Sequence, residues 1–250
     1  MSAWYEETFG GDYLSLYPHR NDEEAARDIC DLLTLIDPRK EAPLLDLCCG
    51  AGRHLMALRR AGFSQLTGLD LSADLLAEAR ARLDNAGMQD IQLVKADMRD
   101  IPMRGPYHAI VSLFTSFGYF AHRNDDERVL ASAYRVLAAD GTFVLDTLNR
   151  GRVLASLIPE EEKELGDMHV HIRRRITDDR LRVEKQTRVT QSGSPETVYR
   201  ESVRMYKRDE IEGMLAGIGF VNTRFFGSLQ GQAYSSSSPR MVVATSKEGE

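Results

Sequence analysis

Cysteine is scarce in this chain: three in 250 residues, two of them adjacent at Cys48 and Cys49. That supply supports neither a disulfide framework nor a four-ligand zinc site. The cysteines therefore read as small buried residues in a reducing compartment, with metal binding as the alternative reading. No apolar run approaches the roughly 18–20 residues that cross a bilayer. The first residues, Met1-Ser2-Ala3-Trp4-Tyr5-Glu6-Glu7, are acidic and aromatic, unlike the basic-then-apolar order of a secretory leader. Together these absences predict a cytoplasmic protein with no membrane partner. An excess of positive charge is missing too. Lys plus Arg number 32 against 38 Asp plus Glu, a net charge of −6, which weakens any whole-chain attraction to nucleic acid.

What is present suits a folded enzyme. Hydrophobic residues make up 42% and charged residues 28% of the chain, a balance that excludes a disordered one. The length allows one substantial core with an appended subdomain.

From Leu44 to about Asn149, short apolar runs alternate with helical patterns. Leu44-Leu45-Asp46-Leu47-Cys48-Cys49, Leu66-Thr67-Gly68-Leu69-Asp70, Ile91 to Ala96, Tyr107 to Leu113 and Gly141 to Asp146 read as five strands. Between them, amphipathic stripes such as Leu75, Leu76, Ala79 and Leu83 read as helices, the last of these capped by Ser72. Upstream, Ala25, Ile29, Leu32 and Leu33 mark a helix ending before Pro38. Nearly continuous apolar strands alternating with helices predict a doubly wound α/β architecture, a parallel sheet covered on both faces. After Arg150 the pattern changes. Val170, Ile172 and Ile176 alternate with basic residues, and turn signals at Asp178-Asp179-Arg180 and Ser192-Gly193-Ser194-Pro195 follow. This predicts an inserted antiparallel sheet of about three strands. A helix carrying Ile211, Met214, Leu215 and Ile218 and two closing strands complete the chain. The expected division is a core over 1–150, an insertion over 151–206 and a closing segment over 207–250. The insertion is locally basic: Arg173, Arg174, Arg175, Arg182, Lys185 and Arg188 face few acids within His169 to Arg208.

In an open doubly wound sheet, ligands bind beyond the carboxyl ends of the strands, where the strand order reverses. Gly50 and Gly52 follow the first strand and permit a tight turn with close backbone approach. A dinucleotide fingerprint would place a third small residue at position 55, where Leu55 stands, which disfavours a nicotinamide-dependent oxidoreductase. Asp70 ends the second strand, where a carboxylate accepts hydrogen bonds from ribose hydroxyls. Asp97 ends the third, and Met98 beside it suits an adenine face.

These residues carry a family resemblance. The run from Leu44 to Arg53 resembles motif I of class I S-adenosylmethionine (SAM)-dependent methyltransferases. Gly68 to Ser72, Lys95 to Met98 and Ser112 to Gly118 resemble the motifs that follow. Ser238 to Ala244 resembles the usual last strand. One departure is Cys48, where the family most often has glycine. The resemblance implies a seven-stranded, Rossmann-like sheet with its last strand antiparallel, and SAM as cofactor. It places Asp46, Cys48, Gly50 and Gly52 around the methionine part of SAM, and Asp70 at the ribose. Leu71, Asp97 and Met98 would then frame the adenine, and Leu113 the floor. Gly11 to Arg20 resembles the aromatic cover of small-molecule members, in which Tyr13, Tyr17 and Arg20 would close over SAM. Arg53 is a second candidate for its carboxylate.

Methyl transfer demands alignment and water exclusion more than dedicated catalytic groups. A base near the fourth or fifth strand end would help an amine or hydroxyl acceptor, and Tyr119, His122 and Asn149 stand at those positions. His122 also reads as a surface histidine, Asn149 as part of a turn, and Tyr13 and Tyr17 as plain packing on the sheet. The favoured expectation is an enzyme that methylates a small molecule at nitrogen or oxygen. The alternatives are an RNA methyltransferase gripping phosphates with the basic insertion, or a SAM-binding protein without catalysis. The oligomeric state and the acceptor's identity are left open.

Overall fold

The computed structural model describes residues 4–8, 21–191 and 193–249, with the side chains of Glu6 and Glu7 left aside. The elements in chain order are α1 (Trp4–Thr8), α2 (Asp22–Leu35), β1 (Leu44–Leu47), α3 (Arg53–Arg60), β2 (Leu66–Asp70), α4 (Ala73–Asn85), β3 (Gln92–Lys95) and β4 (Tyr107–Ser112). There follow α5 (Arg123–Val136), β5 (Leu137–Leu148), α6 (Arg150–Ser156), β6 (Glu160–Leu165), β7 (Met168–Ile176), β8 (Arg182–Gln191), β9 (Thr197–Arg204), α7 (Arg208–Ile218), β10 (Phe220–Phe226) and β11 (Arg240–Lys247).

Seven strands form one sheet in the order β10-β11-β5-β4-β1-β2-β3. β1 pairs in parallel with both β2 and β4, so the order reverses there and a crevice opens at the strands' carboxyl ends. β11 runs antiparallel to both β5 and β10. The expected seven-stranded sheet with an antiparallel last strand is thus observed.

Successive side chains of a strand point to opposite faces, and both faces of this sheet are buried. Leu44, Val111, Val144, Val242 and Ala244 pack with Ile29 and Leu32 of α2, Leu55 and Leu58 of α3, and Leu76 and Leu83 of α4. Their neighbours in the strands, Leu45, Leu47, Ile110, Phe143, Leu145 and Val243, pack on the other face against Val129, Leu130 and Ala133 of α5 and Ile211 and Leu215 of α7. That two-sided burial is why these strands read as continuous apolar runs.

The second sheet has four antiparallel strands, β6-β7-β8-β9, where about three were expected. The strand missed is β6, Glu-Glu-Glu-Lys-Glu-Leu, which has almost no apolar alternation because it is an exposed edge. Charge on an edge strand discourages pairing with other chains. Here it also neutralises the sheet's arginines. Glu160 pairs with Arg173 at 2.9 Å, Glu161 with Arg174 at 2.7 Å, and from other strands Glu184 pairs with Arg175 at 2.5 Å and Glu201 with Lys185 at 2.6 Å. The local basic excess is therefore largely matched by acids, most of all by the strand just before it.

A second difference concerns Arg150–Ser156, which is a short helix rather than a bare turn. Among the described residues no helix is long and apolar enough to cross a membrane.

Candidate active site

A cavity of about 500 Å³ opens at the carboxyl ends of β1, β2, β3 and β4, within the range of small-molecule sites. Its lining includes Cys48, Gly50, Arg53, Asp70, Leu71, Asp97, Met98, Leu113 and Tyr119, so residues distant in sequence converge on one cleft. Two expected residues do not line it. Asp46 is buried and not part of the lining, and Gly52 serves the backbone. Gly52 caps α3 at φ +76°, and a Cβ there would stand 3.2 Å from Ala79 of α4. Its smallness therefore seats α4 against the turn rather than admitting a ligand.

The turn between β1 and α3 is pinned by Asp70. One carboxylate oxygen accepts the Gly50 N–H at 2.8 Å and the other the Ser72 N–H at 2.9 Å. Burial pushes the Asp70 carboxyl up, opposed by the N–H groups of Ser72, Gly50 and Leu71. With three N–H groups bound, the carboxylate keeps a lone pair for a ligand hydroxyl. Cys48, the departure from glycine, sits at φ +67°, in the left-handed region that glycine occupies without strain. Its Sγ lies 3.4 Å from the Met98 Sδ, and burial pushes its thiol well above the usual range.

Asp97 is engaged more fully than expected. Arg99 donates to it from Nε, from Nη2 at 2.6 Å and from its backbone N–H at 2.8 Å. Burial pushes the Asp97 carboxyl up, but these bonds and the Arg99 charge outweigh it and hold the group below the usual range. Arg99 in turn lies over the Phe120 ring, 4.4 Å from its centroid.

Beside the cavity two buried atoms of opposite charge have no partner among the described residues: Asp46 Oδ2 and Arg53 Nη2. Buried polar groups are nearly always satisfied, and an orphan calls for an explanation such as a ligand. Burial lifts the Asp46 pKa to about 6, His54 and Arg53 pulling it down and Asp70 pushing it up. Arg53 donates from Nη1 to Glu24 of α2 at 2.7 Å and lies 4.0 Å over the Phe114 ring. His54, the next residue, meets Asp28 one turn further along α2 at 3.3 Å. The first turn of α3 is thus oriented by α2.

The β4 end is strained. Phe114 and Thr115 both have φ near +65°, which non-glycine residues adopt only where surroundings enforce it. Asp146 of β5 does so. Its Oδ2 accepts the Phe114 N–H at 2.9 Å and its backbone oxygen the Thr115 N–H at 3.1 Å. Arg240 of β11 then ties Asp146 Oδ1 at 2.7 Å to Thr115 Oγ1 at 2.6 Å.

Of the three candidate bases, only Tyr119 reaches the cavity. His122 is exposed at the start of α5. Asn149 is buried elsewhere with its amide fully employed. It donates to the Ser235 and Ser238 carbonyls at 2.9 and 2.7 Å and accepts from the Gly151 N–H and the Tyr234 hydroxyl. Its amide therefore faces Ser235, Ser238, Gly151 and Tyr234 rather than the cavity. Tyr13, Tyr17 and Arg20 lie outside the described residues. Lining residues the sequence did not flag include Tyr5, His54, Arg82 and Phe120, while Phe114 and Ser116 fall within the Ser112 to Gly118 motif; the aromatic density of Phe117-Gly118-Tyr119-Phe120 was the available signal. Among the described residues no group of three His, Cys, Asp or Glu side chains is arranged to hold a metal ion.

Residues 44–141 match a family model described as a methyltransferase domain. Over that segment the chain is similar to class I SAM-dependent methyltransferases. The chain is 33% identical over 144 residues, 57% of its own length, to the dTDP-3-amino-3,4,6-trideoxy-alpha-D-glucopyranose N,N-dimethyltransferase of Streptomyces venezuelae. It is 32% identical over 150 residues, 58% of its own length, to the dTDP-3-amino-3,6-dideoxy-alpha-D-glucopyranose N,N-dimethyltransferase of Streptomyces fradiae. These matches span 58% and 56% of those two relatives. In fold, the chain resembles the crystal structure of a SAM-dependent methyltransferase from Clostridium acetobutylicum, with a TM-score of 0.79 at 16% identity over 95% of this chain and 96% of the other.

Proposed function

We propose that this methyltransferase moves a methyl group from SAM to the nitrogen of a small-molecule amine. The observation that carries the reading is the cavity where Gly50, Asp70, Met98 and Leu113 converge beside two buried, unsatisfied groups of opposite sign. A ligand with a ribose, a flat apolar base and a zwitterionic amino-acid end would satisfy all of them. Asp70 would receive the ribose hydroxyls, Leu71 and Met98 would flank the adenine, and Asp46 and Arg53 would balance the ammonium and carboxylate. Bound SAM supplies an activated methyl: the acceptor's lone pair forms a bond to the methyl carbon as the carbon–sulfur bond breaks, leaving S-adenosylhomocysteine and one proton from the nitrogen.

The protein's share is positioning and exclusion of water. A neutral amine carries its own nucleophilic lone pair, which suits a cavity reached by Tyr119 alone among the candidate bases. The printed activities of the two Streptomyces relatives, both N,N-dimethyltransferases of amino sugars, support nitrogen as the target. The four-stranded sheet backs the acceptor side of the cavity without lining it, since Arg182 and Arg204 from it bond to the turn after β4. Its paired arginines speak against a phosphate grip on RNA.

The test is a screen of the purified chain with SAM against amines, including amino sugars and their nucleotide conjugates, and against hydroxyl compounds and RNA, reading S-adenosylhomocysteine release. Turnover with an amine and none with the others is expected. Turnover with RNA or hydroxyl acceptors alone would refute the acceptor class. SAM binding without turnover on any acceptor would favour a non-catalytic role.

A further inference from the structure

The turn after β4 carries Tyr119 and Phe120, which line the cavity, yet its backbone is held from outside the seven-stranded sheet. Arg182 of β8 donates from Nη1 to the Phe120 carbonyl at 3.0 Å and from Nη2 to the carbonyls of Gly118 and Tyr119, each at 3.2 Å. Its remaining bonds anchor it within its own sheet, to the Ser202 carbonyl at 2.7 Å and, from Nε, to Ser202 Oγ at 2.9 Å. Three consecutive carbonyls thus converge on one guanidinium, a rigid planar fork that lysine's single ammonium does not reproduce.

The same turn is braced on its other sides. Gly118 donates to the buried Asp126 Oδ1 at 3.2 Å, and Asp126 Oδ2 accepts from the Tyr206 hydroxyl at 2.7 Å. The Arg204 N–H donates to the Gly118 carbonyl at 2.7 Å, and a Cβ on Gly118 would stand 2.5 Å from the Arg204 carbonyl oxygen. With its carbonyls turned toward the second sheet, the turn presents its side chains to the cavity. There the Tyr119 ring lies 6.3 Å from Tyr5 in a stacked pair, and Phe120 meets Tyr5 edge-on at 5.5 Å. Trp4, the chain's one tryptophan, packs on Tyr119 at 4.9 Å and donates from its indole N–H to the Tyr119 carbonyl at 3.3 Å.

We propose that Arg182 is a positioning residue that lets the second sheet set the aromatic wall of the cavity formed by Tyr5, Tyr119 and Phe120, and through that wall the choice of acceptor. The acceptor half of this statement rests on the methyltransferase reading above; the hold on the wall does not. It assigns to the insertion a task the charge pattern concealed, because Arg182 spends its donors on backbone carbonyls rather than on acids or solvent.

Trp4 is a built-in reporter. In the full chain, Arg182→Lys and Arg182→Met should each shift Trp4 emission to longer wavelength and raise its quenching by acrylamide, because the Tyr119 carbonyl and ring move away from the indole. Arg175→Met serves as the control: Arg175 lies on the same sheet with its side chain 72% exposed, and its loss should leave Trp4 unchanged. Folded Arg182 variants, judged by circular dichroism, with wild-type emission and quenching would overturn the proposal. If Arg182→Met fails to fold, Arg182→Lys, which keeps the charge and the aliphatic stem, decides. With an amine acceptor in hand, Arg182→Lys should raise the acceptor KM about tenfold while the SAM KM stays within about twofold. Equal effects on both would overturn the link to acceptor choice. A wild-type chain that turns over no acceptor would count against the methyltransferase reading, and Trp4 emission would still judge the hold on the wall.

Discussion

Asp46 carries a charge that the ligand-free protein holds at a cost, and Asp46→Asn removes it with little change of shape. The Asp46 carboxyl is fully buried and its pKa is lifted from 3.8 to about 6. At about 1.4 kcal/mol per pH unit, that lift corresponds to about 3 kcal/mol of lost stability once the group is ionised. The sign follows from the folded value lying above the unfolded one. Below about pH 4 both states are protonated and the penalty is small. It grows as pH rises toward about 6 and is constant above that. Denaturant unfolding of the ligand-free wild type and Asp46→Asn across pH 4 to 7.5 should therefore show the variant gaining, relative to wild type, about 2–3 kcal/mol. The same variant should bind S-adenosylhomocysteine more weakly at pH 7.5, having lost the partner for its ammonium. A stability difference that stays flat with pH, or that moves the other way, would refute the reasoning.

Other outcomes follow from the site. Asp70→Ala removes the proposed ribose acceptor and frees the Gly50 and Ser72 N–H groups; calorimetry should show S-adenosylhomocysteine affinity falling by about a hundredfold, about 2.7 kcal/mol, and an unchanged affinity would contradict the role. Arg53→Met should weaken S-adenosylhomocysteine about tenfold while leaving 5′-methylthioadenosine, which lacks the amino-acid end, little affected; equal losses for both would remove Arg53 from the carboxylate. Asn149→Ala should lower stability by about 2–4 kcal/mol by stripping a buried hub of hydrogen bonds, without altering the pH profile of kcat; a shifted profile would restore it as a base. Cys48→Gly should preserve the melting temperature and binding, whereas Cys48→Val, β-branched at φ +67°, should cost about 1–2 kcal/mol or more; equal melting temperatures would contradict the strain argument.

Much of this fold was legible because two-sided burial writes itself as apolar runs. β1, β2 and β4 have almost every residue buried, so their sequences announce a covered sheet, and the acids Asp70 and Asp97 mark where its strands end. β6 was not legible, since Glu160 to Leu165 has charge on both faces and gains its place through cross-strand ion pairs that spacing alone does not reveal. The site divides in the same way. Glycine turns and strand-end carboxylates are local signals. Asn149 and Gly52 stood at suggestive positions, but their partners, Ser235, Ser238 and Ala79, come from remote segments that turn both residues to structural tasks. Arg182 left no trace because its partners are backbone carbonyls, which have no signature in sequence.

The central claim is that SAM lies across the carboxyl ends of β1, β2 and β3, and a crystal structure of the chain grown with S-adenosylhomocysteine tests it most directly. The account predicts ribose oxygens within hydrogen-bond distance of Asp70, the adenine against Met98, and the amino-acid end beside Arg53. The compound bound elsewhere on the surface, with this cleft empty, would contradict it.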